Sequence, residues 1–113
     1  MAYVVAQAQA DSDVGTGDPV SVDLYTVPAS TEAVISTLAV AEHGGVTTRY
    51  RVWVRPNGAA AADEHILVYN VPVGQFDTTF ITAGIALAAG DVVTVEADED
   101  EVTFTAFVNE TAV

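Results

Sequence analysis

The sequence predicts an all-β domain, a single antiparallel β-sandwich of jelly-roll-like form with about seven or eight strands. Three observations point there. Apolar and polar residues alternate with a period of two through most of the chain, as half-buried strands require. Turn-forming residues punctuate that pattern at short intervals. Outside Glu32 to Glu42, only Ala59 to Ala62 leaves room for helix, one turn at most. Residues 20–113 are expected to form the sandwich, and residues 1–19 an N-terminal arm or an extra edge strand.

In chain order, Val20-Ser21-Val22-Asp23-Leu24 alternates cleanly. Glu32 to Glu42 holds Val34, Ile35, Thr37 and Val40, enough β-branching for a long strand, although its alanines leave a helix open. Val46, Thr48, Tyr50, Val52 and Val54 share one face of the next strand, and Thr47, Arg49, Arg51, Trp53 and Arg55 the other. Ile66-Leu67-Val68-Tyr69 is a continuous apolar run, which suggests a strand covered on both sides. Val93 and Val95 alternate with Thr94 and Glu96. Val102, Phe104, Ala106 and Val108 alternate with Thr103, Thr105 and Phe107. Between these runs fall Gly15 to Pro19, Pro28 to Thr31, His43-Gly44-Gly45, Pro56-Asn57-Gly58, Pro72-Val73-Gly74, Ala89-Gly90-Asp91 and Asp98 to Glu101.

Charge is the strongest compositional signal. The 113 residues carry 16 acidic side chains against three arginines, a net charge of −13. Such a domain repels itself in dilute salt. It also lacks the positive surface that nonspecific binding to nucleic acid or to anionic membranes needs. Molar salt shortens the Debye length to about 3 Å or less and screens the repulsion. A halophilic origin is therefore expected, with high Ala, Val, Asp, Glu and Thr and no Lys. No cysteine is present, which removes disulfides, zinc–thiolate sites and thiol nucleophiles. The first residues lack the basic-then-apolar pattern of a secretory signal. No stretch reaches the roughly 20 apolar residues of a membrane-spanning helix.

Candidate chemistry is sparse. His43 and His65 are the only histidines, and none of Ser12, Ser21, Ser30 or Ser36 sits in a G-x-S-x-G elbow, so no catalytic residue or cofactor is assigned. Asp11-Ser12-Asp13-Val14-Gly15-Thr16-Gly17-Asp18 places oxygen ligands at alternating positions. It misses the EF-hand template at the fifth, sixth and twelfth positions, where Gly15, Thr16 and Val22 stand. A looser cation site at Asp11, Asp13 and Asp18 is the candidate metal site, beside the plainer reading of a polar turn. Asp98 to Glu101 reads as a solvated hairpin tip.

Arg49, Arg51, Trp53 and Arg55 form the most informative surface feature. Successive odd positions put all four on one face of one strand, and they include every basic residue of the chain. Against an acidic remainder, the stripe suits contact with an acidic surface, either another copy or a partner. Pairing within the chain, with acids such as Glu32 or Glu96, is the alternative.

Leu24-Tyr25-Thr26-Val27-Pro28-Ala29-Ser30-Thr31, leading into Ala33 to Leu38, and Gly84-Ile85-Ala86-Leu87-Ala88-Ala89-Gly90-Asp91-Val92-Val93-Thr94-Val95 carry a resemblance over roughly residues 20–110. Their layout is similar to small β-sandwich structural proteins of tailed phages and archaeal tailed viruses. Asn109 before Glu110 departs from the glycine such proteins tend to have, which leaves the last turn open. The resemblance implies a non-enzymatic virion protein assembled in the host cytoplasm, foremost a capsid decoration or turret subunit. A tail or baseplate subunit, or a displayed carbohydrate- or receptor-binding module, is the alternative. It implies homo-oligomers, a trimer or pentamer by symmetry, joined to major capsid or other virion proteins.

Overall fold

Alternation does set the strands. The computed structural model describes residues 1–113 and contains eleven of them. They are β1 (Ala2–Gln9), β2 (Asp11–Ser12), β3 (Pro19–Val20), β4 (Val22–Thr26), β5 (Thr31–Glu42), β6 (Thr48–Arg55), β7 (Ile66–Val73), β8 (Thr78–Ile81), β9 (Ile85–Leu87), β10 (Val92–Ala97) and β11 (Val102–Ala112). Two antiparallel sheets stack on one another. The five-stranded sheet runs β1-β11-β5-β8, with β9 also paired to β5, and the four-stranded sheet runs β4-β10-β6-β7. Leaving aside the short β2, β3 and β9, eight principal strands remain. One sheet holds the first, eighth, third and sixth of them, and the other the second, seventh, fourth and fifth. That is jelly-roll order.

The core lies between the sheets. Ile35, Leu38 and Val40 of β5 and Val102, Phe104 and Ala106 of β11 face Tyr50 and Val52 of β6 and Val93 and Val95 of β10, all fully buried. Phe104 meets Tyr50 edge-on, with ring centroids 6.2 Å apart and planes at 70°. Along β5 the inward residues are 33, 35, 38, 40 and 42, so the period of two breaks once. The cause is a bulge: Phe107 pairs Thr37 and Val108 pairs Ile35, which leaves Ser36 as the extra residue. Its hydroxyl donates to the carbonyl of Phe107 at 3.2 Å.

The Gly90–Asp91 turn is more than a strand break. Gly90 has φ +87°, and a Cβ there would sit 2.7 Å from Oδ1 of Asn57. The Asp91 carboxylate accepts from the amides of Ala88 and Asn57, both at 2.9 Å. It thereby ties this turn to the short 3-10 turn at Pro56–Gly58.

Several expectations are corrected. Residues 2–9 form a full edge strand paired along β11, so the arm alternative does not hold there. The 46–55 strand begins only at Thr48, and Val46 is exposed. Ile66 to Tyr69 belongs to an edge strand covered on one side: Leu67 and Tyr69 are open to solvent. Ala59 to Ala62 holds no helical turn; 3-10 turns lie on either side, at Pro56–Gly58 and Asp63–His65. Asn109 and Glu110 lie inside β11, not in a final turn. No helix is long and apolar enough to cross a membrane.

Candidate interaction surfaces

The arginine stripe projects from the outer face of the four-stranded sheet, and each guanidinium is engaged within the chain. Arg51 is only 8% exposed. Its Nε donates to Glu96 Oε1 at 2.7 Å, Nη2 to Asp98 Oδ1 at 2.8 Å and Nη1 to Asn70 Oδ1 at 2.7 Å. Burial alone would lower its pKa; the Asp98 and Glu96 carboxylates outweigh that and raise it. Arg55 donates to Asp23 at 3.1 Å, to the Thr94 hydroxyl at 3.0 Å and to the Ala59 carbonyl at 2.9 Å. Arg49 donates to the Asn70 carbonyl at 2.8 Å. Asn70 serves both arginines from a left-handed conformation, φ 52°. Trp53 is half-buried between them, across from Thr94 and Ile66.

Strand register explains the pairing. Glu96 lies directly opposite Arg51, the partner the sequence offers. Glu32 sits on the other sheet, in β5, and makes no ion pair with the stripe. Asp98 and Asp23 were not anticipated. Both follow from the register once β10 is placed between β4 and β6.

Asp11, Asp13 and Asp18 fall in and beside the β2–β3 hairpin. Oδ1 of Asp13 accepts from the amides of Gly15 and Thr16, at 2.8 and 3.1 Å, and Oδ1 of Asp11 accepts from Ser12 at 2.8 Å. The carboxylates shape a polar turn, and no group of three ligating side chains gathers there. His43 Nε2 lies 3.0 Å from the Thr103 hydroxyl and its Nδ1 lies 3.9 Å from Glu101. Ser12 and Ser36 donate to Asp100 and to the Phe107 carbonyl, and neither hydrogen-bonds a histidine.

Glu42, which belongs to no sequence motif, organises one end of the sandwich. It is 3% exposed and ends β5 at an inward-facing position. Its carboxylate accepts from the amides of Gly44, Gly45 and Phe76, at 2.7, 3.0 and 2.8 Å, and so joins two turns. The Glu99 carboxyl, from the β10–β11 turn, lies against it, and Glu99 Oε1 is buried without a donor. Protonation of Glu99 is what lets the two carboxyl groups hydrogen-bond. Burial and the Glu42 carboxylate push Glu99 up to about 7, with Glu101 and Asp100 adding to the effect. For Glu42, burial pushes upward, but the Glu99 hydroxyl and the surrounding amides prevail and bring it down to about 2. The Asp98–Glu101 tip is therefore docked through Glu99, not merely solvated. The legible signal was a glutamate in phase with Leu38 and Val40 just ahead of the turn.

The outer face of the five-stranded sheet is the other feature of note. Its outward side chains include Tyr3, Val5, Gln7 and Gln9 from β1, Thr103, Thr105 and Phe107 from β11, Ala39 and Ala41 from β5, and Phe80 from β8. Tyr3 is 83% exposed, Phe80 65% and Phe107 43%. Glu32, near one end, is the single acidic side chain of β5 that points outward there. Most of the acids lie in the turns, and Glu32 is the one that interrupts an otherwise uncharged face. Comparison of the chain with protein-family models, with curated proteins and with solved structures finds no match.

Proposed function

We propose that this chain is a non-enzymatic structural subunit of a viral particle, a capsid decoration or turret protein before a tail or baseplate one. It acts by burying surface against copies of itself and against capsid partners in a salt-rich host. The neutral outer face of the five-stranded sheet carries this reading. On a domain with net charge −13, uniform charge would be the simplest route to staying apart. Here one broad face has that protection only at Glu32, near one end, and exposes tyrosine and phenylalanine, side chains favoured at protein contacts. The stripe of Arg49, Arg51, Trp53 and Arg55, expected as an interface from the sequence, holds its own sheet together and is a weaker candidate. The Leu24 to Thr31 and Gly84 to Val95 layout supplies the viral part of the reading, and jelly rolls recur in capsid and lectin domains.

Light scattering on the purified protein tests it. Assemblies of at least twice the 11.7 kDa chain mass are expected at about 1 M KCl, where the Debye length is about 3 Å. A chain that stays at 11.7 kDa in dilute and molar salt alike, at every concentration, contradicts self-assembly. A displayed glycan-binding module is the second reading, favoured by Tyr69 and Leu67, which stand open beside each other's strand positions on β7. Glycan binding lost in Tyr69→Ala would select it.

A further inference from the structure

The two stacked sheets present four principal edges, and three are guarded. A free edge strand offers unpaired N–H and C=O groups to any other chain, so natural proteins shorten, bulge or charge their edges or place proline there. β7 contains Pro72, the left-handed Asn70 and shifts in its register with β6. β4 is five residues long, carries Asp23 and is bulged against β10. β8 is four residues long and follows Asp77 and the left-handed Phe76.

β1 has none of these devices. It runs eight residues in unbroken register with β11, from Ala2↔Glu110 to Gln9↔Thr103. Its sequence, Ala-Tyr-Val-Val-Ala-Gln-Ala-Gln, holds no charge, proline or glycine. Residues 1–10 have no charged side chain, while the other 103 carry all 19 of the chain's acidic and basic side chains (16 and three). A strand this regular and neutral is fit for pairing, and the charge distribution says with what. Where the turns or the arginine-bearing sheets of two copies approach, carboxylates face carboxylates; along β1 they do not.

We propose that β1 pairs antiparallel with β1 of a second copy of this chain across a two-fold axis, joining two five-stranded sheets into one. This rests on the assembly reading above and names its contact. A two-fold centred on Val5 or Ala6 is self-complementary. It sets Tyr3 of one protomer beside Gln7 or Gln9 of its partner on the outer face, and the half-buried Val4, Ala6 and Ala8 together on the inner. Up to about eight main-chain hydrogen bonds form, none of which depends on charge. The neutral outer faces of the two sheets become continuous, which doubles the surface offered to capsid partners.

Proline substitution tests the pairing, because successive N–H groups of a strand point to opposite edges. Of Val5→Pro and Ala6→Pro, one removes a donor toward β11 and lowers the melting temperature. The other removes a donor toward the free edge and leaves the monomer folded. At about 1 M KCl, that second variant is expected to raise the dimer dissociation constant roughly tenfold or more. In the wild type, alternate β1 amides gain hydrogen-exchange protection in step with the dimer fraction. Phe80→Ser, on the far edge of the same sheet, leaves the dimer intact. Dimers that survive in whichever proline variant stays folded, with no concentration-dependent β1 protection, overturn the pairing. So does loss of the dimer in Phe80→Ser alone, which moves the contact to the sheet face and leaves the assembly reading standing. A wild-type monomer under all conditions overturns both.

Discussion

The Glu99 carboxyl lies against the Glu42 carboxylate at the end of the sandwich where three turns meet, and the two shift each other's pKa in opposite directions. The sign of the pH dependence follows. Glu99 is raised from 4.5 to about 7, so its contribution is complete below pH 4.5 and is lost as pH rises through 7. Glu42 is lowered from 4.5 to about 2, so its contribution is complete above pH 4.5 and is lost as pH falls toward 2. Thermal melts at fixed molar salt are expected to show stability declining between pH 4.5 and 8. Glu99→Gln, which keeps a donor for Glu42, is expected to flatten that decline and to exceed the wild type at pH 8.

Arg51 holds β6 to β10 and to Asn70 through three charge-assisted hydrogen bonds. Arg51→Ala leaves Glu96 facing an empty position on the sheet and is expected to lower stability by about 2 kcal/mol in urea titrations. Arg49→Ala, which gives up a single bond to an exposed carbonyl, is expected to change it by less than about 1 kcal/mol.

Gly90 adopts a left-handed conformation with Asn57 packed where a Cβ would be. Gly90→Ala is expected to cost at least about 1 kcal/mol from the backbone alone, with further loss from displacing Asn57. Urea midpoints measured beside the wild type check this.

Much of the fold could be read from alternation. The inward sets of β10 and β11, and the Thr31–Glu42 strand, stand where the pattern put them. What alternation cannot report is which strands lie at an edge. Ile66 to Tyr69 reads as doubly covered because apolar residues also occupy exposed edge positions, and nothing local distinguishes Leu67 outside from Val68 inside. The stripe of Arg49, Arg51, Trp53 and Arg55 was legible as one face, yet its occupation by Glu96, Asp98 and Asp23 depends on pairings distant in sequence. The neutral sheet face was hidden for the same reason. It is assembled from β1, β5, β8 and β11, whose side chains meet only after the jelly-roll order is known.

Salt should matter beyond any single contact. With net charge −13, raising KCl from about 0.1 M to 1 M shortens the Debye length from about 10 to 3 Å and removes most of the self-repulsion. The melting temperature is expected to climb steeply over that range. An unchanged value would remove the halophilic component of the proposal.

Two of the four tyrosines stand on opposite outer faces, Tyr3 on the neutral sheet and Tyr69 on the arginine-bearing one, while Tyr25 and Tyr50 are buried. Fluorine NMR of fluorotyrosine-labelled protein in molar KCl, with a soluble paramagnetic quencher, reads both faces in one sample. Tyr3 is predicted to lose its exposure to the quencher as concentration drives assembly, while Tyr69 keeps it. Tyr69 becoming shielded while Tyr3 stays open would place the contact on the arginine face and contradict the account.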